Sequence, residues 1–176
     1  GYYTFNDGMM TPNNDNITAQ GPDTTAARNG LKGMKVRFSY TANADPAKDW
    51  GDGWGAALSK TLDLSTMKQV TMNIKWDGSS NAVKLGFQDS GGHVFAATVA
   101  NSTLMAVNGY GQIAIPLADF TEDTTNSSRT AGAVNWGQIT NYNIAYLNKG
   151  TTANYQNIDD ITARATTDAV TPPAPA

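Results

Sequence analysis

At 176 residues the chain is long enough for one two-sheet core and too short for two ordinary domains. A net charge of -3, a sequence pI near 4.9 and the lack of any Lys/Arg cluster argue against a nucleic-acid or anionic-membrane partner. With no cysteine and one histidine, disulfides, thiolate catalysis and Cys-ligated metal centres are excluded, and no run approaches the roughly 18 apolar residues of a membrane span.

Residues 1–5 are β-prone and run into the turn Asn6-Asp7-Gly8. After a polar loop, Ile17-Thr18-Ala19 predicts a short strand. The turn Arg28-Asn29-Gly30-Leu31-Lys32-Gly33 has glycines that let backbone carbonyls point outward. Met34, Val36, Phe38 and Tyr40 alternate with Lys35, Arg37 and Ser39, the period of a strand with one buried face. A glycine-rich stretch, Asp49-Trp50-Gly51-Asp52-Gly53-Trp54, leads into a strand reaching Leu62.

The pattern is clearest in two central runs, Val70-Met72-Ile74-Trp76 and Val83-Leu85-Phe87, joined by Asp77-Gly78-Ser79-Ser80-Asn81. Together they are expected to give a sheet one apolar face and one face of Thr71, Asn73, Lys75, Lys84, Gly86 and Gln88. That polar face is either solvated surface or the floor of a groove for a polar ligand. Ser90-Gly91-Gly92 predicts a hairpin into a strand over His93 to Val99. In the next strand, Gln112 to Leu117, Pro116 must lie at an end or edge because it cannot donate to a ladder.

A polar loop carrying Arg129 precedes strands over Tyr142 to Leu147 and Tyr155 to Ile161, and Thr171-Pro172-Pro173-Ala174-Pro175-Ala176 reads as extended linker. The expected organisation is a module over residues 1–165 and the start of a linker over 166–176. About nine or ten short strands without a substantial helix predict an all-β fold, a two-sheet antiparallel β-sandwich of the jelly-roll kind.

Motifs of catalysis are missing: there is no Gly-x-Ser-x-Gly elbow, His-Glu-x-x-His pair or phosphate-binding glycine loop. A non-enzyme is expected, with a carboxylate-pair glycosidase as the weaker alternative. The aromatic residues point elsewhere. Sugar rings present flat C–H faces rimmed by hydroxyls, so proteins place Trp or Tyr against the face and polar groups at the rim. Trp50 and Trp54 lie among glycines, Tyr146 near a strand end and Tyr110 between two glycines. Burial is the general expectation for aromatics, but the glycines around Trp54 favour its display to a ligand. Trp76 belongs with the core, Trp136 with the closed end of the sandwich. His93 is either a solvated turn residue or a ligand contact. If the first and last strands pair, Asn6-Asp7 and Asp159-Asp160 meet as oxygen donors for a hard cation such as Ca²⁺, with carbonyls from the Arg28–Gly33 turn; otherwise they are unrelated surface acids.

Phe5-Asn6-Asp7-Gly8, Asn29 to Val36, Trp54-Gly55, Leu62-Asp63-Leu64-Ser65, Gln112 to Phe120 and Asn157-Ile158-Asp159-Asp160-Ile161 occur in an order that resembles the family 11 carbohydrate-binding modules and their jelly-roll relatives. The resemblance runs from Tyr3 to Ala163. It implies a non-catalytic module of a secreted plant-cell-wall hydrolase, binding one β-glucan chain along a concave sheet. It also implies a structural calcium, whose matching positions are Asn6 or Asp7, a carbonyl near Asn29, and Asp159. The family's cleft aromatic falls on Tyr146, its polar partner on Asn143 and its hairpin histidine on His93. Where the family has a tyrosine before the Trp-Gly pair, this chain has Gly53.

The expectation is therefore a secreted, monomeric module attached to a catalytic domain. Its ligand would be mixed-linkage glucan, xyloglucan or a cellulose chain. Trp54 and Tyr146 would stack with support from Trp50, each ring contributing about 1–3 kcal/mol. Asn143, His93, Gln88, Asp52 and Arg129 would supply hydrogen bonds. The contrasting expectation is a structural or adhesion β-sandwich that binds no sugar and keeps its aromatics in the core.

Overall fold

Alternating runs become strands throughout the chain. The computed structural model describes residues 2–5, 17–23, 33–40, 52–75, 82–100, 110–126, 128–147 and 151–168. The strands are β1 (Tyr2–Phe5), β2 (Ile17–Asp23), β3 (Gly33–Tyr40), β4 (Asp52–Leu62), β5 (Gln69–Lys75), β6 (Val83–Asp89), β7 (Val94–Val99), β8 (Tyr110–Pro116), β9 (Thr121–Glu122), β10 (Ile139–Tyr146) and β11 (Thr151–Arg164). Among the described residues the helical pieces are two 3₁₀ turns, Leu117–Asp119 and Trp136–Gln138. Every named strand pairing is antiparallel, and the pairings form a six-stranded sheet I, ordered β1-β4-β10-β6-β7-β9, and a five-stranded sheet II, ordered β2-β3-β11-β5-β8. This is the β-sandwich of the jelly-roll class that the alternation predicts.

The two central runs do not share a sheet. The β5 run lies in sheet II and the β6 run in sheet I, so their apolar faces oppose each other across the core. Their polar faces turn away on two different sides of the molecule. Two strands of matching period can bury apolar area side by side or face to face, and alternation alone does not choose between them. Trp76 and the turn after it lie outside the described residues. The predicted β6–β7 hairpin is present, pairing Val83 with Val99 through Gln88 with Val94.

Trp54, Met72, Ile74, Leu85, Ile139, Ile144 and Ile158 are the largest fully buried side chains. Trp54, Ile144, Leu85 and Ala97 occupy one register row of sheet I. Val70, Met72 and Ile74 stand beside Ile113, Ile115 and Ile158 in sheet II. The half-buried Trp136 packs edge-on against Phe87 at 5.9 Å and Phe120 at 5.8 Å, at the margin of the core. Pro116 ends β8, an edge strand. β2 runs past the expected Ala19 to Asp23 and includes Pro22, which an edge strand tolerates because its outer N–H groups need no partner.

The first and last strands do not pair. β1 pairs with β4 in sheet I, whereas β11 lies between β3 and β5 in sheet II. The pairing that was to bring Asn6-Asp7 to Asp159 is thus corrected.

Candidate functional site

The outer face of sheet I carries small residues, Gly53, Gly55, Gly86, Ala96 and Ala145, among larger polar ones. One register row crosses all six strands: Tyr3, Gly55, Asn143, Gly86, Ala96 and Thr121. The neighbouring rows put Ala57 beside Asn141 and Gln88, and Gly53 beside Ala145 and Lys84. Strand alternation produces this arrangement: Trp54, Ala56 and Leu58 turn to the core, so the residues between them line the outer face. Asn141, Asn143 and Gln88 are half-buried and Ala57 is exposed, making a polar surface over a low floor. At Gly86 a Cβ would stand 2.6 Å from Asn143 Oδ1 and 2.9 Å from its Nδ2. The glycine is therefore what allows the Asn143 amide to lie down on the sheet.

One side of this face is overhung by the loop after β9. Lys84, only 9% exposed, donates from Nζ to Asp123 Oδ2 at 2.8 Å and to Thr125 Oγ1 at 3.4 Å. Asp123 Oδ1 also accepts from the Thr125 amide and hydroxyl. Burial alone would raise the Asp123 carboxyl, but the hydrogen bonds from Lys84 and Thr125 and the lysine's charge hold it below its ordinary value. Lys84, Ala96, Thr98, Thr121, Asp123 and Leu147 are among the residues around a recess of about 290 Å³.

The hairpin turn is tied to the next segment by a buried carboxylate. Asp89, 2% exposed, accepts from the amides of Gly91 (2.8 Å), His93 (3.0 Å) and Asn135 (2.7 Å). His93 Nδ1 lies 2.8 Å from Asp89 Oδ2, and because a carboxylate only accepts, Nδ1 is the donor. Burial pushes the Asp89 carboxyl up, but these hydrogen bonds outweigh it and leave the group below its ordinary value. The imidazole lies beside Gly132, whose φ of 130° favours glycine.

Of the residues expected to contact a ligand, Asn143 and Gln88 come together on the outer face of sheet I. His93 is half-buried beside that sheet's hairpin turn, with Nδ1 committed to Asp89. Arg129 is spent on its own loop and the strand before it: Nε donates to Glu122 Oε1 of β9 at 2.9 Å and Nη1 reaches the Thr124 and Asn126 carbonyls.

Trp54 corrects the stacking expectation. It is 1% exposed and meets Tyr142 edge-on at 6.0 Å, inside the sandwich. Asp52 and Tyr146 are register partners in β4 and β10, and Asp159 is opposite Asn73; their side chains lie outside the described set. Trp50, Asn6, Asp7 and Asn29 are outside the described residues altogether. Among the described residues no group of three or more His, Asp or Glu is placed to hold a metal.

The sequence puts Lys84 only on a polar face and does not single out Asp123. Their pairing carries no sequence signal, since 39 residues separate them. Asp89 was legible in principle, as an Asp before Ser-Gly-Gly is a turn-capping residue.

No protein-family model matches the chain, and no curated protein matches it. Solved structures do. A family 11 carbohydrate-binding module from Clostridium thermocellum, in complex with a β-1,3-1,4-mixed-linked tetrasaccharide, has a TM-score of 0.60 at 15% identity, covering 93% of this chain and 95% of that one. A family 30 module of a cellulosomal cellulase of Clostridium thermocellum has a TM-score of 0.58 at 17% identity, covering 95% and 92%. The family 28 module, specific for non-crystalline cellulose, has a TM-score of 0.54 at 14% identity, covering 93% and 87%. At these identities the similarity is one of fold: the chain has the jelly-roll sandwich found in carbohydrate-binding modules of families 11, 30 and 28.

Proposed function

We propose that the outer face of sheet I binds a neutral polysaccharide, a β-glucan chain lying across the strands. On this reading the protein is a non-catalytic, extracellular module that carries an attached glycoside hydrolase to its substrate. The observation that carries the proposal is the register row Gly55-Asn143-Gly86-Ala96, where small residues lower the floor and one amide lies flat on it. A chain of sugars needs such close approach together with donors and acceptors at the ring edges. Asn141, Asn143 and Gln88 supply both. The solved modules of this fold support the reading.

Calcium belongs to the proposal on donor chemistry alone. Asn6, Asp7, a carbonyl near Asn29 and Asp159 offer only oxygen, the ligand type a hard cation takes.

Affinity gel electrophoresis on mixed-linkage β-glucan and on xyloglucan tests the binding. Retardation on one of them is expected, together with its loss in Asn143→Ala. Migration unaffected by either polymer would defeat the proposal. One observation favours a second reading, an interaction domain that binds no sugar: the aromatic best placed by sequence to stack, Trp54, is in the core. That reading predicts no retardation on any glucan.

A further inference from the structure

The recess beside the β9 loop shares Ala96 and Thr121 with the row of small residues and extends beyond it to Lys84, Thr98 and Leu147. Its walls combine the Lys84 ammonium, the Asp123 carboxylate and the hydroxyls of Thr98, Thr121 and Thr125 with the apolar surface of Ala96 and Leu147. Lys84 has three N–H donors, and the described residues account for two of them.

Charges around the recess cancel. Lys84 neutralises Asp123 at 2.8 Å, and Arg129 neutralises Glu122 at 2.9 Å. An anionic ligand would meet two carboxylates whose counter-charges are already engaged, whereas a neutral polyol would find donors and acceptors without repulsion. At about 290 Å³ the recess is at the small end of the range for ligand pockets. It suits one sugar ring better than two.

We propose that this recess is a subsite for a single neutral pyranose unit, held at its hydroxyls by Lys84, Asp123 and Thr98, at the β9 end of the face that binds the chain. The inference rests on the polysaccharide-binding reading and adds a specificity element: a neutral unit at that end, selected against uronates.

Nuclear magnetic resonance titration of the full chain with the β-1,3-1,4-mixed-linked tetrasaccharide separates the two claims. Expected are shift changes at Thr98, Thr121 and Thr125 as well as at Gly86 and Asn143. Changes at Gly86 and Asn143 alone would overturn the recess and leave the face intact; silence at all five would overturn both.

Thr98 is exposed, so Thr98→Val leaves the fold alone and is expected to weaken binding about threefold, the scale of one modest hydrogen bond. Lys84→Met is expected to weaken it roughly tenfold or more. If that variant does not fold, Thr98→Val decides, and unchanged affinity there overturns the subsite. Tighter binding of a glucuronate-bearing oligosaccharide than of the neutral one would overturn the neutral assignment.

Discussion

Gly86 and Trp54 show what a single residue contributes to opposite faces of one sheet. At Gly86 an added methyl would collide with the end of the Asn143 side chain, which can rotate away, and with no backbone among its three nearest atoms. Gly86→Ala should therefore fold, with a melting temperature close to that of the parent, and bind glucan about tenfold more weakly because the amide has left its place. Equal affinity, measured by calorimetric titration, would remove Asn143 from the site. Trp54→Ala should do the reverse. It empties a fully buried volume and should cost about 3–5 kcal/mol, read by urea unfolding, while the fraction still folded keeps its affinity. The sequence already held the correct reading of this tryptophan. Glycines on both sides suggested ligand access, but in a strand adjacent residues face opposite ways, so Gly53 and Gly55 mark the outer face and Trp54 the inner one.

At the scale of elements, carboxylates fasten irregular segments to regular ones. Asp89 joins the β6–β7 hairpin to the segment before β10 through Asn135, and Asp123 clamps the β9 loop onto Lys84 of β6. Both carboxyls lie below the ordinary 3.8 in the folded protein. A depressed native value means that the folded state holds its charge more readily than the unfolded chain. The stabilisation is therefore complete well above pH 3.8 and disappears as pH falls through the native values. The melting temperature should accordingly stay level through neutral and mildly acidic pH and drop in the acid range. Asp89→Ala should be destabilised by roughly 3 kcal/mol at neutral pH, since three backbone donors lose their acceptor, and should show a shallower acid slope than the parent. A slope as steep as the parent's would show that acid unfolding arises elsewhere.

The strands themselves were largely legible, because apolar alternation at Met34–Tyr40, Val70–Ile74 and Val83–Phe87 has the period of two that a strand imposes, and each run forms one. Which strand neighbours which was not legible. Pairing across sheet II joins residues as distant as Thr71 and Thr162, and no local signal spans that distance. For the same reason Asn143 and Gln88 could be named singly but not seen to share a face, and the Lys84–Asp123 clamp was invisible.

For the molecule as a whole, the strand order separates the two strands from which the proposed calcium donors come. β1, which runs into Asn6 and Asp7, belongs to sheet I, and Asp159 belongs to β11 at the centre of sheet II. On the proposal made above, an ion sharing those donors would tie one sheet to the other rather than close a ladder within one. A ligand that binds only the folded state stabilises it in proportion to the logarithm of its concentration over the dissociation constant. Adding calcium to chelator-treated protein should then raise the melting temperature progressively, and excess chelator should lower it again, in a single cooperative transition because both sheets lose the tie together. Asp159→Ala should melt where the chelated parent melts and should not respond to calcium. A melting temperature indifferent to both calcium and chelator would end the calcium proposal without touching the sugar-binding face, whose residues lie on sheet I alone.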